Sequence, residues 1–195
     1  SRLLVPEKWP DAVAGPMHGK KQASVVLVGS SPNVLKSGKG PQIDRADLVV
    51  RFNTAAFHLD DLRADVGHRT DLIWLNDWVA QRVYKQLLDT KNAIGVKSFM
   101  FCTHNAHVDE DATDAGRIAA INDFSTVDVY VTTRDFAESA KQFVRKELQL
   151  AADYHLHLRS GTLAVIYFMQ RGFRNVKLHG FEVFEKKLTQ AHFFD

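Results

Sequence analysis

Cysteine is almost missing from this chain. Cys102 is the single one, so no intrachain disulfide can staple the fold. Excess charge is missing too: a formal net charge of +2 is too small to argue for a nucleic-acid partner or a membrane surface. No apolar run approaches the roughly 20 residues that span a bilayer, and no signal-like segment is present. Membrane insertion by these residues is therefore not expected. Internal repeats and low-complexity tracts are also lacking. What is present is ordinary globular composition, with 195 residues, 45% hydrophobic and 25% charged. That is enough for one domain with a substantial core.

The stretch 24–76 organises the rest. Val25, Val26, Leu27 and Val28 form the continuous aliphatic run of a strand buried on both faces. Gly29 stops it, and Ser30, Ser31, Pro32 and Asn33 follow. A short helix is expected before the next strand, Leu48–Phe52, which ends at Asn53 and Thr54. A third strand, Leu72–Leu75, ends at Asn76 and Asp77. In open α/β sheets ligands bind just beyond the carboxyl ends of the strands. Small residues there let backbone amides and hydroxyls approach a phosphate.

This stretch closely resembles the large sialylmotif of the eukaryotic-type sialyltransferases. The matching pieces are Gly29-Ser30-Ser31-Pro32-Asn33, Gly38-Lys39-Gly40, Ile43-Asp44, Arg51-Phe52-Asn53 and Asp65-Val66-Gly67-His68-Arg69-Thr70. Ser30 stands where the family usually has Asn, and Pro32 where it has Gly. Animal members usually join their two motifs by a disulfide. Its first cysteine would fall near Ser24, and the second motif here has none. The resemblance implies a single α/β domain with a mostly parallel central sheet flanked by helices, a Rossmann-like variant of the glycosyltransferase A fold. It also implies that the polar loop 54–70 rims the donor site, although a solvated surface loop reads equally well from its residues.

Residues 1–23 carry Pro6, Pro10 and Pro16 with little periodicity and read as an arm or linker before a domain over 24–195. Helical spacing of Val79, Val83 and Leu87 predicts a helix over 78–91. Strands are expected at Val96–Phe101, broken in pattern by Ser98 and Cys102, and at Val127–Val131. Between them His104, His107, Asp109, Glu110 and Asp111 invite a metal reading, but nothing fixes a tetrahedral set. No metal is expected. Thr132 and Thr133 can cap a helix from Arg134, whose Phe136, Ala140, Phe143, Val144 and Leu148 define a buried face. His155 and His157, alternating with Leu156 and Leu158, read as structural.

A second anchor lies at 158–184. Ser160, Gly161 and Thr162 open an apolar helix that Gly172 stops, and a strand Val176–His179 leads to Gly180-Phe181. This resembles the small sialylmotif, with His179 in a position usually held by Tyr. A helix start is worth roughly 0.3–1 kcal/mol toward an anion, so small residues there suit a donor carboxylate or phosphate. At the chain's end, Ala191-His192-Phe193-Phe194-Asp195 resembles the family's short third motif. The family's last motif, which carries the catalytic histidine, is expected further along than Asp195.

The resemblance implies an inverting glycosyltransferase that moves sialic acid, or a related keto-sugar acid such as Kdo, from its CMP ester to a glycan hydroxyl. The donor would be a substrate, and no cofactor is implied. The expected donor cradle is Gly29, Ser30, Ser31, Asn33, Asn53, Ser160, Gly161, Thr162 and His179. His192 is the candidate catalytic residue, through the donor phosphate, and reads equally as a half-buried histidine beside two phenylalanines. The compartment would be the Golgi lumen for a eukaryotic protein and the cytoplasm for a bacterial or viral one. An NAD-dependent enzyme is disfavoured, because Gly29-Ser30-Ser31-Pro32-Asn33-Val34 lacks Gly-x-Gly-x-x-Gly. A catalytically inactive module binding nucleotide or glycan remains the alternative.

Overall fold

In the computed structural model, which describes residues 23–76, 79, 96, 98–102, 128–132, 134–151 and 154–181, the apolar runs become a fully parallel sheet. Its strands are β1 (Ser24–Val28), β2 (Leu48–Phe52), β3 (Leu72–Asn76), β4 (Ser98–Cys102), β5 (Asp128–Val131) and β6 (Asn175–His179). The order across the described sheet is β5-β4-β3-β2-β1-β6. The chain steps outward from β1 to β5 and then returns to the other side of β1. That reversal places the topological switch point at the carboxyl end of β1.

Alternation along the strands sorts the core into two faces. Val25, Leu27, Leu48, Val50, Phe52, Leu72 and Trp74 lie on one face, under α3 (Arg134–Glu147) and α4 (Ser160–Gln170). Val26, Val28 and Val49 lie on the other, under the turn Pro32–Val34 and the short helices α1 (Gly40–Asp44) and α2 (Arg63–Val66). Each such aliphatic or aromatic side chain contributes about 1.5–3 kcal/mol by leaving water. The α4 face is rich in aromatic rings. Trp74 meets Tyr167 edge-on at 5.5 Å, and Phe136 meets Tyr167 at 5.6 Å.

Helix α4 ends as its Gly172 predicts. Gly172, at φ +88°, takes the left-handed position. Its amide donates to Met169 O at 3.0 Å, that of Phe173 donates to Phe168 O at 3.1 Å, and the Phe168 and Phe173 rings touch at 5.4 Å. These are the two bonds and the apolar contact of a Schellman cap.

Several local expectations are corrected. The stretch 54–70 is not a solvated loop: it forms 3-10 turns at Asn53–Phe57 and Asp60–Leu62 and then α2. Ala55, Ala56, Leu59 and Val66 are buried there. Ser98 and Cys102 do not break β4 but are fully buried within it. On α3, Phe143 and Leu148 turn outward, 46% and 63% exposed, and the inner line is Phe136, Ala137, Ala140 and Val144. Thr132 gives its hydroxyl and its amide to Phe101 O, extending the sheet. His155 and His157 are exposed while Leu158 between α3 and α4 is buried. The arm 1–22, most of the expected helix 78–91, the His104–Asp111 cluster, Thr133 and His192 lie outside the described residues. No described helix is long and apolar enough to cross a membrane.

Candidate active site at the carboxyl edge of the sheet

The expected cradle residues of 29–33 and 160–162 come from opposite faces of the sheet and meet at one edge. Because β6 runs parallel to β1, its end lies beside the Gly29 turn. The Gly29 amide donates to His179 O at 2.7 Å, and the Ser31 amide donates to Gly180 O at 3.0 Å. Asn33 Nδ2 donates to Phe181 O at 3.2 Å. Glycine is required on both sides of this seam. A Cβ on Gly29 would overlap the Gly180 carbonyl oxygen, and Gly180 stands at φ +70° with Gly29 O at 2.7 Å from any Cβ it carried. The start of α4 closes on the same point, since a Cβ on Gly161 would run into the Phe181 ring. That ring also meets Phe52 edge-on at 5.5 Å. Phe181 is thus the wedge joining the ends of β1, β2 and β6 to the first turn of α4. The sequence signal for it was the Gly180-Phe181 pair, but its neighbours are far away along the chain.

Ser31 is buried, and its Oγ accepts from the Asn33 amide at 3.4 Å, which bends the turn. Arg159 gives α4 no side-chain cap, so the amides of its first turn face the edge without that competitor. Asn53 sits at φ 50°, a left-handed conformation that Asn tolerates. Its Oδ1 accepts from the Asn76 amide at 3.1 Å, and Asn76 Oδ1 accepts from the Val79 amide at 2.8 Å. With Oδ1 committed, Asn53 has only its Nδ2 donors left to offer, and among the described residues they have no partner. His179 reaches the edge from the α1 side of the sheet. Burial, then Lys39, then Lys177 hold its pKa below the usual imidazole value.

The other half of the recognised pattern holds the scaffold. Asp65 receives the amides of Lys36 and Gly38 at 2.7 and 2.8 Å, which pull its pKa down. Asp44 receives the amides of His68 and Arg69, and His68 Nδ1 lies 2.7 Å from its Oδ2. Arg69 bonds Ala46 O and Asp47 O and pairs with Asp71 at 2.8 Å. Arg51, fully buried, bonds Thr70 Oγ1, Val66 O and Arg69 O. Its burial lowers its pKa to about 10, opposed by the charge of Asp44. It stays protonated at neutral pH. Gly40 and Gly67 let α1 and α2 approach, because a Cβ on either would strike Arg63 O or the Asp44 carboxylate. Among the described residues no group of three His, Cys, Asp or Glu side chains could hold a metal.

The fold is therefore that of a Rossmann-like, glycosyltransferase A-type α/β domain with a glycine seam at its switch point. The chain belongs to glycosyltransferase family 29 (sialyltransferase), whose model matches residues 3–195. A sialyltransferase-like protein 2 of Oryza sativa subsp. indica is 43% identical over 58 residues, 30% of this chain and 14% of that relative. A mammalian sialyltransferase crystal structure is similar at TM-score 0.61 and 19% identity, covering 98% of this chain and 65% of that one. The Campylobacter jejuni sialyltransferase CstII, in complex with the substrate analogue CMP-3FNeuAc, is similar at TM-score 0.59 and 18% identity, covering 88% and 63%. The chain thus spans less than two thirds of these relatives' lengths.

Proposed function

We propose that this chain takes a CMP-activated sialic acid, or a related keto-sugar acid such as Kdo, and transfers it with inversion to a glycan hydroxyl. The observation that carries the reading is the convergence of the Gly29 turn and the α4 start on Phe181 at one carboxyl edge. In this reading the acceptor oxygen attacks the anomeric carbon as the bond to the phosphate breaks. The hydroxyl proton goes to a base, and CMP leaves as an anion. Backbone amides aimed at that charge lower the barrier because they need no reorganisation. Gly29, Ser30, Ser31 and Asn33 shape the β1 side of the cradle, with the amides of Gly29, Ser31 and Asn33 bonded within the protein, and the backbone amides of Ser160, Gly161 and Thr162 face it from the α4 side. Asn53 donates from Nδ2. His192 is assigned the contact with the leaving phosphate. The CMP complexes among the similar structures support this choice of nucleotide for the edge.

The test is thermal unfolding with CMP, UDP and NAD. At 100 times its dissociation constant CMP adds about 2.7 kcal/mol. For a chain of this size that is roughly 5–10 °C in Tm, with no rise from UDP or NAD. An absent CMP shift sinks the reading. A CMP shift without hydrolysis or transfer of a CMP-sialic acid donor identifies an inactive binding module instead.

A further inference from the structure

The end of β3 carries an asparagine held in the same way as the one after β2. Asn76 closes β3, and its backbone amide donates to Asn53 Oδ1 at 3.1 Å. Its own Oδ1 accepts from the Val79 amide at 2.8 Å. An asparagine whose oxygen receives an N–H has only its NH2 hydrogens left to give. Both side chains are therefore fixed with the oxygen turned to the protein's own backbone. Among the described residues neither Nδ2 has a partner. Neither is one of the sealed, unbonded atoms either, so both open to solvent.

These donors form a bounded row along the carboxyl edge. Neighbouring strands lie about 4.8 Å apart, and β2 stands between β1 and β3. Asn53 thus follows the middle strand, with the Gly29 turn one spacing to one side and Asn76 one spacing to the other. Beyond β3 the row stops. Cys102, at the end of β4, is fully buried, and the Thr132 hydroxyl after β5 is given to Phe101 O. An asparagine can hold an oxygen roughly 6 Å from its own Cα, so one small group above β2 is within reach of both Asn53 and Asn76. Two NH2 groups whose oxygens are spent match a group that only accepts. A phosphate does that with several oxygens, and its charge strengthens each bond. Sugar hydroxyls, which must also donate, match less well.

We propose that Asn76 is a second side-chain donor to the phosphate of the CMP ester, reaching it from the β3 side while Asn53 reaches it from β2. The inference rests on the donor reading above and adds to it a further residue that holds the leaving group. The experiment is equilibrium binding of CMP, and of cytidine, which lacks the phosphate, to the parent chain, Asn76→Asp and Asn76→Ser. Both substitutions keep an oxygen for the Val79 amide, and neither touches the backbone amide that holds Asn53. Asn, Asp and Ser are near-equal in such a bond, so the unliganded melting temperature should stay within about 2 °C of the parent. The parent should bind CMP at least about tenfold more tightly than cytidine. Asn76→Asp sets a negative oxygen against the phosphate and should weaken CMP at least about tenfold. Asn76→Ser only removes the donors and should weaken it about fivefold. Cytidine offers no charge to meet, and its affinity should change less than about twofold in either variant. Unchanged CMP binding in Asn76→Asp overturns the proposal. An equal loss for cytidine would put Asn76 on the nucleoside and overturns it too. So does a loss of CMP binding that comes only with a fallen melting temperature in both variants, which would leave Asn76 a structural residue. Failure of the parent to bind CMP at all sinks the donor reading and this inference with it, whereas a parent that binds CMP beside an unaltered Asn76→Asp sinks this inference alone.

Discussion

Asp44, Arg51, Asp65 and Arg69 are bonded to groups of the protein itself. Asp65 closes on two amides, Asp44 on two more, Arg69 on three carbonyls and Asp71, and Arg51 on two carbonyls and a hydroxyl. At the carboxyl edge, by contrast, the Asn53 Nδ2 donors have no partner among the described residues, and α4 starts without a side-chain cap from Arg159. Both regions carry residues of the recognised motifs, yet they use polarity in opposite ways. A densely bonded network rigidifies what it joins, here with Arg51 Nη1 as a buried atom that has no partner among the described residues. Polar groups left over at the rim of a rigid frame are the ones a ligand can use. The lock made by Asp44, Arg51, Asp65, Arg69 and Asp71 thus holds the frame on which the proposed site stands.

The sharpest way to break this comparison is Arg51→Ala. It empties a fully buried position and strands Val66 O, Arg69 O and Thr70 Oγ1. Leaving such buried acceptors unsatisfied costs about 1–3 kcal/mol for each. Denaturant unfolding should show that loss whether or not CMP is present, and a cost under about 1 kcal/mol would refute the lock.

Asn53→Asp should do the reverse. Asp tolerates the left-handed backbone and still accepts from the Asn76 amide. It replaces the free donors with a negative oxygen. At an effective dielectric near 20, a like charge about 5 Å from a phosphate costs about 3 kcal/mol, roughly 10²-fold in CMP affinity. The unfolding midpoint without ligand should hardly move. Normal CMP affinity in this variant would remove Asn53 from the cradle.

Gly29→Ala tests the seam between the two regions. The new methyl meets the Gly180 carbonyl, and overpacking of this kind costs about 1–3 kcal/mol. Both stability and CMP protection should fall together, since β1 and β6 must part where the cradle forms.

The smallest effect belongs to Asp65. Its carboxylate is favoured in the folded state by the Gly38 and Lys36 amides, so its pKa lies below the ordinary 3.8. A depressed acid stabilises the fold above its unfolded pKa and loses that contribution as pH falls through the folded value. Hydrogen exchange at the Lys36 and Gly38 amides should therefore accelerate, relative to neighbouring amides, only below about pH 4. Asp65→Asn should abolish that pH dependence.

Much of this arrangement was legible in the residues. The aliphatic runs at 25–28, 48–52 and 72–75 announced buried parallel strands, and Gly172 announced the end of α4. The motif pieces pointed to the family. Less legible was the division of labour within the motif. Nothing local distinguishes Asp65, which clasps amides, from Asn53, which faces outward. Likewise Phe143 and Leu148 fit the helical stripe of α3 yet lie exposed, because periodicity marks a stripe and not which flank the sheet covers. Phe181 became a wedge only where β6 met Gly29 and Gly161.

By itself the sequence determined the buried strands, the helix stop at Gly172 and the family, since these depend on residue type and short-range spacing. The tertiary structure alone decided that the strand order reverses at β1, bringing residues 29–33, 53 and 160–162 to one edge. The physical reason is that a parallel sheet carries every strand end to the same side, so contacts between chain segments remote in sequence are set by strand order.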